Sequence, residues 1–150
     1  MNLVRRVAVR GIIFKDGKIF AVKQKDAQGK TVDYWSTPGG GLDQGESIHD
    51  GLYREMIEET GIAPTIGRLL LIQQFFNGEK EQMEFFFHVE NADDYAEIDL
   101  TSTTHGELEI AEYGFIDASK EPLLPVVLQT LDLKAYTQSI KPTVVMYYEK

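Results

Sequence analysis

The chain has 150 residues, no cysteine, 43% hydrophobic residues and a formal net charge of −9, which suits a single globular domain over residues 1–150. The missing cysteines exclude disulfides and thiolate metal sites, and the acidic charge disfavours binding to a nucleic-acid backbone. Because no stretch is apolar for long enough to predict a membrane span or a signal peptide, we expect a cytoplasmic protein with no membrane partner.

The first part of the chain predicts strands joined by a tight turn. Residues 4–14 and 19–22 are rich in valine and isoleucine, and the Asp16-Gly17 pair between them is typical of a β-hairpin. The charged residues 23–33 indicate a surface loop. Residues 34–37 then predict a short strand that ends at a proline and three glycines.

A helix is predicted over residues 48–60. Ser47 precedes it as an N-cap, with Asp50 in the place that a capping box usually gives to glutamate or glutamine. Gly61 follows as the C-terminal stop.

Three glutamates crowd one side of this helix. At about 100° per residue, Glu55, Glu58 and Glu59 fall in one arc. Carboxylates at such a short separation repel one another unless positive charge lies between them. Arg54 is the only lysine or arginine in the helix. We expect Arg54 to act as a clamp for the adjoining loop and a hard divalent cation to bind the carboxylates, because such cations prefer oxygen ligands. Such a site next to a glycine loop is an arrangement for handling phosphates.

The second half predicts more strands and one more helix. Residues 69–76 and 83–88 indicate two strands joined by an Asn-Gly turn, and residues 110–117 indicate another. Residues 124–131 carry leucine and valine at helical spacing, which predicts a helix. Residues 143–148 predict either a late strand or a packed tail. This order predicts an α/β arrangement with helices on both faces of a mixed sheet.

The glycine loop and the acidic helix together resemble the Nudix box, here over residues 40–62. The stretch Trp35-Ser-Thr-Pro-Gly-Gly is also similar to the usual lead-in. A motif with so many fixed positions is far more specific than a short glycine motif. The resemblance implies the Nudix fold, an α/β/α sandwich with a central mixed sheet. The matching residues are Gly40, Glu46, Arg54, Glu55, Met56, Glu58, Glu59, Gly61 and Ile62.

The resemblance also implies an activity, which is hydrolysis of a nucleoside diphosphate linked to another group, with Mg²⁺ or Mn²⁺ as cofactor. The implied catalytic metal ligands are Glu55, Glu58, Glu59 and the carbonyl of Gly39. The implied structural clamp of the box consists of Gly40, Glu46, Arg54 and Gly61.

The general base stays open between a box glutamate and a later acid, because members of the family differ in this respect. The later candidates are Glu107, Glu109 and Glu112. We expect Glu112, just before Tyr113, to be a further catalytic residue or metal ligand, and the other two to be solvated acids.

Substrate recognition is less defined. Arg6, Arg10 and Lys23 lie on or beside the first strands and are candidates for phosphate contacts, and one of the strand phenylalanines could line a nucleobase pocket. The expected substrate is a small molecule, either a nucleoside triphosphate or a nucleotide-sugar. Two alternatives remain: a Nudix-fold module that senses a nucleotide without turnover, and a hydrolase of a non-nucleotide diphosphate. A homodimer is compatible with the resemblance, since many Nudix enzymes are dimers.

Overall fold

The computed structural model describes residues 4–76, 78–138 and 143–149. Within these ranges the chain forms ten strands. In chain order they are β1 (Val4–Ile12), β2 (Phe14–Lys15), β3 (Lys18–Gln24), β4 (Trp35–Ser36), β5 (Gly39–Gly41), β6 (Ile66–Phe76), β7 (Lys80–Val89), β8 (Ile110–Ile116), β9 (Leu123–Leu124) and β10 (Val144–Glu149).

The described part of the chain also contains three α-helices and three short 3₁₀ helices. The predicted helix over residues 48–60 is confirmed, and none of the described helices is long and apolar enough to cross a membrane. The α-helices are α1 (Ile48–Thr60), α2 (Gly106–Glu109) and α3 (Leu133–Gln138). The 3₁₀ helices are Ala92–Tyr95, Leu100–Ser102 and Val126–Gln129.

The strands form two mixed sheets. The first has the order β10-β6-β7-β1-β5, in which β1 is parallel to β7 and antiparallel to β5. The second has the order β2-β3-β4-β9, with β8 also paired to β3. The expected α/β class with mixed sheets is confirmed, and the final stretch forms a strand, β10, parallel to β6.

Two apolar cores hold these layers together, one on each face of the first sheet. Met56 of α1 packs into the same cluster as Val9 of β1, so α1 covers one face. Phe86 of β7 packs into a second cluster with Ile19 of β3. Phe20 of β3 belongs to the first cluster, so the second sheet contributes to both cores. Burial of these apolar side chains is the main force that joins helix α1 and the two sheets.

The helix predicted over residues 124–131 is wrong. Leu124 belongs to β9, which pairs with β4, and a 3₁₀ helix over Val126–Gln129 follows. The cause is Pro125, because a proline disfavours helical geometry in the residue before it. Only Leu128 of that 3₁₀ helix is buried. A short 3₁₀ helix therefore takes the place of the α-helix that the spacing of leucine and valine predicts.

Candidate functional site

The glycine loop forms strand β5 and lies between β1 and helix α1. Gly39 pairs with Arg10 and has a φ of 137°, a conformation that side chains rarely adopt. A Cβ on Gly39 would also collide with the backbone oxygen of Val9. A Cβ on Gly40 would lie 2.5 Å from Oε2 of Glu55. Both positions therefore need glycine if the loop is to approach the carboxylates of α1 this closely.

Helix α1 begins and ends with the caps that its sequence predicts. Oγ of Ser47 accepts a hydrogen bond from the backbone N–H of Asp50 at 3.0 Å. Gly61 has a φ of 79° and donates its N–H to the carbonyl of Ile57 at 2.8 Å. These caps set the register of the helix, and with it the direction of its carboxylates.

The guanidinium group of Arg54 connects helix α1 to the loop that precedes it. Its Nε and Nη2 donate to the two carboxylate oxygens of Glu46 at 2.7 and 2.9 Å, and Nη2 also donates to the carbonyl of Gly41 at 3.1 Å. Its Nη1 donates to Glu55 at 3.1 Å and to Glu58 at 3.0 Å. Hydrogen bonds from Arg54, followed by one from the Asp43 backbone, lower the pKa of Glu46 to about 2. The guanidinium thus provides positive charge among several carboxylates.

Replacement of Arg54 by alanine should lower both stability and activity, because it leaves Glu46 with only the backbone N–H of Asp43 and removes the contact between loop and helix. We expect the thermal midpoint to fall by roughly 5 °C at neutral pH. The stabilisation by Glu46 is complete above its unfolded-state pKa of 4.5 and is lost as the pH falls towards 2. The difference in thermal midpoint between the parent and Arg54→Ala should therefore become smaller between pH 4.5 and pH 2. Calorimetry at several pH values measures it. Arg5→Ala, which removes an exposed ion pair with Glu81, is the control.

Glu59 is the most enclosed carboxylate of the helix. Its side chain is buried, and one oxygen, Oε2, accepts the backbone N–H of Gly39 at 2.8 Å. The other oxygen, Oε1, is buried and has no hydrogen-bond partner among the described residues. Burial raises the pKa of Glu59 to about 7, although the Gly39 N–H and the charge of Arg10 act in the opposite direction. An unpaired buried carboxylate oxygen is costly unless it binds a proton or a ligand.

Glu55 and Glu58 lie beside Glu59 but keep partners. Burial raises the pKa of Glu55, opposed by its hydrogen bond from Arg54. Oε2 of Glu58 lies 3.1 Å from Nδ1 of His105, in addition to its contact with Arg54. Glu55 is therefore within electrostatic reach of both Glu58 and Glu59, and Arg54 contacts Glu55 and Glu58.

No metal cluster is preformed among the described side chains, where no three aspartates, glutamates or histidines come together with ligand spacing. Arg54 Nη1 lies between Glu55 and Glu58 and would compete with a cation there. The chemistry of the donors nonetheless fits Mg²⁺ or Mn²⁺, because all of them are oxygens and the buried Oε1 of Glu59 has no partner in the part of the chain that the structure describes.

A cavity of about 730 Å³ opens over the glycine loop and the acidic side of α1. Arg6, Arg10 and Lys25 line it on the strand side. Glu55 and Glu58 line the helix side, so one cavity presents cations and carboxylates together. This combination suits a substrate that carries several phosphate charges and reacts with water.

The structure brings Glu109, and not Glu112, to this cavity. Glu109 lines it, and its charge helps to raise the pKa of both Glu55 and Glu59. Glu109 ends α2, which packs closely against the end of α1: a Cβ on Gly106 would collide with the backbone oxygen of Glu59. His105, also at the cavity, donates its N–H to the carbonyl of Glu58 at 3.0 Å. The sequence named Glu109 as a candidate but favoured Glu112, and it gave no signal for His105, because only this close approach places the two residues at the cavity.

Glu112 lies on β8 at the register of Lys23 and outside the lining of this cavity. Its carboxylate is more than half exposed and lies 3.6 Å from Nζ of Lys23. Lys23 in turn lies over the ring of Trp35, with Nζ 5.1 Å from the ring centre. Of the three basic candidates for phosphate contacts, Arg6 and Arg10 therefore reach the cavity, and Lys23 does not.

Comparison with known proteins places this geometry in context. A family model described as the NUDIX domain matches residues 4–125. An ADP-ribose pyrophosphatase of Methanocaldococcus jannaschii is 42% identical over 64 residues, which are 43% of this chain and 37% of that protein. A CTP pyrophosphohydrolase of Escherichia coli is 27% identical over 148 residues and covers 95% of this chain and 98% of its own length.

Solved structures show the same fold. The crystal structure of a MutT NUDIX hydrolase from Burkholderia pseudomallei has a TM-score of 0.65 and 22% identity. The match covers 85% of this chain and 98% of that one. For several curated relatives, however, this chain spans only about a third of their length.

Proposed function

Since this chain belongs to the NUDIX domain family, we propose that it hydrolyses the diphosphate bond of a nucleotide with the help of Mg²⁺ or Mn²⁺. The observation that carries the proposal is the cavity in which Arg6, Arg10 and Lys25 face Glu55 and Glu58. The named relatives support it, since their names refer to ADP-ribose and to CTP. A nucleoside triphosphate or a nucleotide-sugar is therefore the expected substrate.

The basic residues bind and orient the substrate in this proposal. Arg10 is held in place, because its Nε donates to Glu84 at 2.6 Å and its Nη1 donates to the carbonyl of Thr37 at 2.9 Å. A guanidinium fixed on two sides presents its remaining N–H groups in one direction, which favours phosphate oxygens over flexible partners. Arg6 and Lys25 add charge at the same opening.

The carboxylates accept the proton of the attacking water and hold the cation in this proposal. Oxygen of a water molecule attacks phosphorus, the P–O bond of the anhydride breaks, the leaving phosphate keeps the electron pair, and a carboxylate takes the proton of the water. Glu55, Glu58 and Glu59, with the Gly39 carbonyl, would hold the cation. When bound, it would supply positive charge that offsets the diphosphate and favours ionisation of the attacking water.

We also propose that Glu109 has the role that sequence reasoning assigned to Glu112, because Glu109 lines the cavity and Glu112 does not. Glu109→Gln should lower kcat by about 100-fold, the lower end of the range for a general base. Glu112→Gln, the same exchange three residues away, should stay within twofold of the parent. Steady-state rates of the two variants decide between the assignments, and the opposite order of losses would restore Glu112.

The proposed activity is tested with a panel of nucleoside triphosphates, ADP-ribose and UDP-glucose. The protein is incubated with each compound and Mg²⁺ or Mn²⁺, and phosphate is measured after treatment with pyrophosphatase or phosphatase. We expect turnover of one class, and its loss in EDTA. A protein that binds these nucleotides and hydrolyses none of them would instead be a sensor. Hydrolysis of only non-nucleotide diphosphates would also overturn the proposal.

A further inference from the structure

A second cavity, of about 840 Å³, lies beside the first and between the two sheets. Arg6 and Arg10 line both cavities, so the two meet at these guanidinium groups. A substrate whose phosphates contact these arginines therefore has its remaining part directed into the second cavity. The residues of that cavity decide which chemical group fits there.

One side of the second cavity is a polar row on the first sheet, formed by Gln73, Gln82 and Glu84. All three are buried, and Gln73 of β6 pairs in register with Glu84 of β7. The same face of these strands carries Leu71 and Phe86 further along, in the apolar core between the sheets. Polar side chains on an interior face need hydrogen-bond partners, and these partners determine what the row can offer to a ligand.

Two members of the row are held in one orientation. Glu84 accepts from Nε of Arg10 at 2.6 Å through Oε2, and from Nε2 of Gln73 at 3.2 Å through Oε1. In its ion pair with Arg10, the carboxylate of Glu84 accepts hydrogen bonds through both of its oxygens. A reversed Gln73 amide would direct its oxygen at this carboxylate, and the repulsion excludes that orientation. Gln73 is thus fixed with its N–H towards Glu84.

The carbonyl oxygen of Gln73 remains available. It accepts no hydrogen bond within the described part of the chain, and it is not among the fully enclosed unpaired atoms. A fixed amide therefore offers an acceptor to the second cavity. Gln82 differs, because its amide forms no hydrogen bond with the described residues. It can rotate to present either a donor or an acceptor.

The opposite side of the cavity is apolar and open. Tyr34, Leu124 and Val126 line it and are 39%, 42% and 61% exposed, although large hydrophobic side chains are usually covered. Phe75 lies on the same sheet as the polar row and also lines the cavity. Apolar surfaces around a polar edge suit a flat heterocycle, which needs contacts on its faces and hydrogen bonds at its rim.

We propose that the second cavity binds the base of the substrate and prefers a base with an exocyclic amino group over the matching oxo base. The amino group of cytosine or adenine donates to the fixed carbonyl oxygen of Gln73, while Gln82 pairs with the neighbouring ring nitrogen. The oxo group of uracil or hypoxanthine would face that same oxygen, acceptor against acceptor. The inference rests on the proposed function for the identity of the ligand as a nucleotide.

Binding of nucleoside monophosphates tests the proposal without any turnover. Calorimetric titration compares CMP with UMP and AMP with IMP. The members of each pair differ in an amino or an oxo group and in the adjacent ring nitrogen, to which the rotatable amide of Gln82 can adapt. In the pair that binds more tightly, we expect the amino nucleotide to bind about tenfold more strongly than the oxo nucleotide. The amino group gains one hydrogen bond and avoids one repulsion. Equal affinities, a preference for the oxo member, or no binding of any of the four would overturn it.

Two variants assign the preference to its residues. Gln73→Leu should remove the amino preference, whereas Gln82→Leu should weaken both members of a pair and leave their ratio unchanged. Gln74→Leu is the matched control, since Gln74 follows Gln73 on β6 but bonds to Glu81 and lines neither cavity. A preference that survives in a folded Gln73→Leu protein would also contradict the assignment.

These titrations and the hydrolysis assays together separate this inference from the proposed function. Amino preference without hydrolysis of any nucleotide would uphold the base pocket and reject the enzymatic activity. Hydrolysis at equal rates for CTP and UTP, and for ATP and ITP, would uphold the activity and reject the base preference.

Discussion

Glu59→Gln is expected to lose almost all hydrolytic activity and to keep its fold. The amide oxygen of glutamine can still accept the N–H of Gly39, so the contact between loop and helix remains. What disappears is a negative oxygen in a site with little water, where charge acts strongly on the transition state. We expect kcat/KM to fall by about 10²- to 10³-fold, the loss typical of removing one such group. Steady-state kinetics with saturating Mg²⁺ measure it.

Stability should change little in the same variant. Glu59 has a pKa near 7 because burial opposes its charge, so a neutral side chain of the same shape removes little favourable electrostatic energy. The thermal midpoint should therefore stay within a few degrees of the parent. Glu107→Gln, the same exchange at an acid outside the cavity lining, is the control. Full activity of Glu59→Gln would refute the role of the carboxylate, and an unfolded protein would refute the stability argument.

Gly39→Ala is expected to show the largest loss of stability. The φ of 137° is strained for alanine, and the new methyl group would collide with the backbone oxygen of Val9, which has no freedom to move aside. Together, strain and overpacking cost roughly 3 kcal/mol or more. For a chain of 150 residues this lowers the thermal midpoint by about 10 °C. Activity should fall as well, because the Gly39 N–H no longer contacts Glu59.

The chain offers a matched control for this prediction. Gly29 also has a positive φ, 79°, but no atom of the described residues lies within 4 Å of an added Cβ. Gly29→Ala therefore measures conformational strain alone, which is about 1 kcal/mol. Calorimetry of both variants gives the additional cost at position 39, which combines the steric collision with the less favourable φ of 137°. If the two midpoints fell equally, the close approach of β5 to β1 would not explain the need for glycine at position 39.

Helix α1 shows how far local sequence reaches. Its limits follow from Ser47 and Gly61, because a side chain that accepts a backbone N–H begins a helix and a residue that tolerates positive φ ends it. The spacing of its glutamates follows from the same helix geometry. The helix predicted over residues 124–131 failed where an X-Pro step and pairing of β9 with β4 outweighed apolar spacing.

The sequence by itself therefore determined the α/β class, the loop and helix of the box, and the family to which they belong. Tertiary structure alone decided which distant residues join them. Arg10 meets Glu84 because β1 and β7 are parallel neighbours, although 74 positions separate the two residues. Glu109 reaches the cavity because Gly106 allows α2 to approach α1, whereas Glu112 lies on β8 beside Lys23. Local propensity acts over a few residues, but strand pairing and close packing are properties of the folded chain, so no local pattern encodes these contacts.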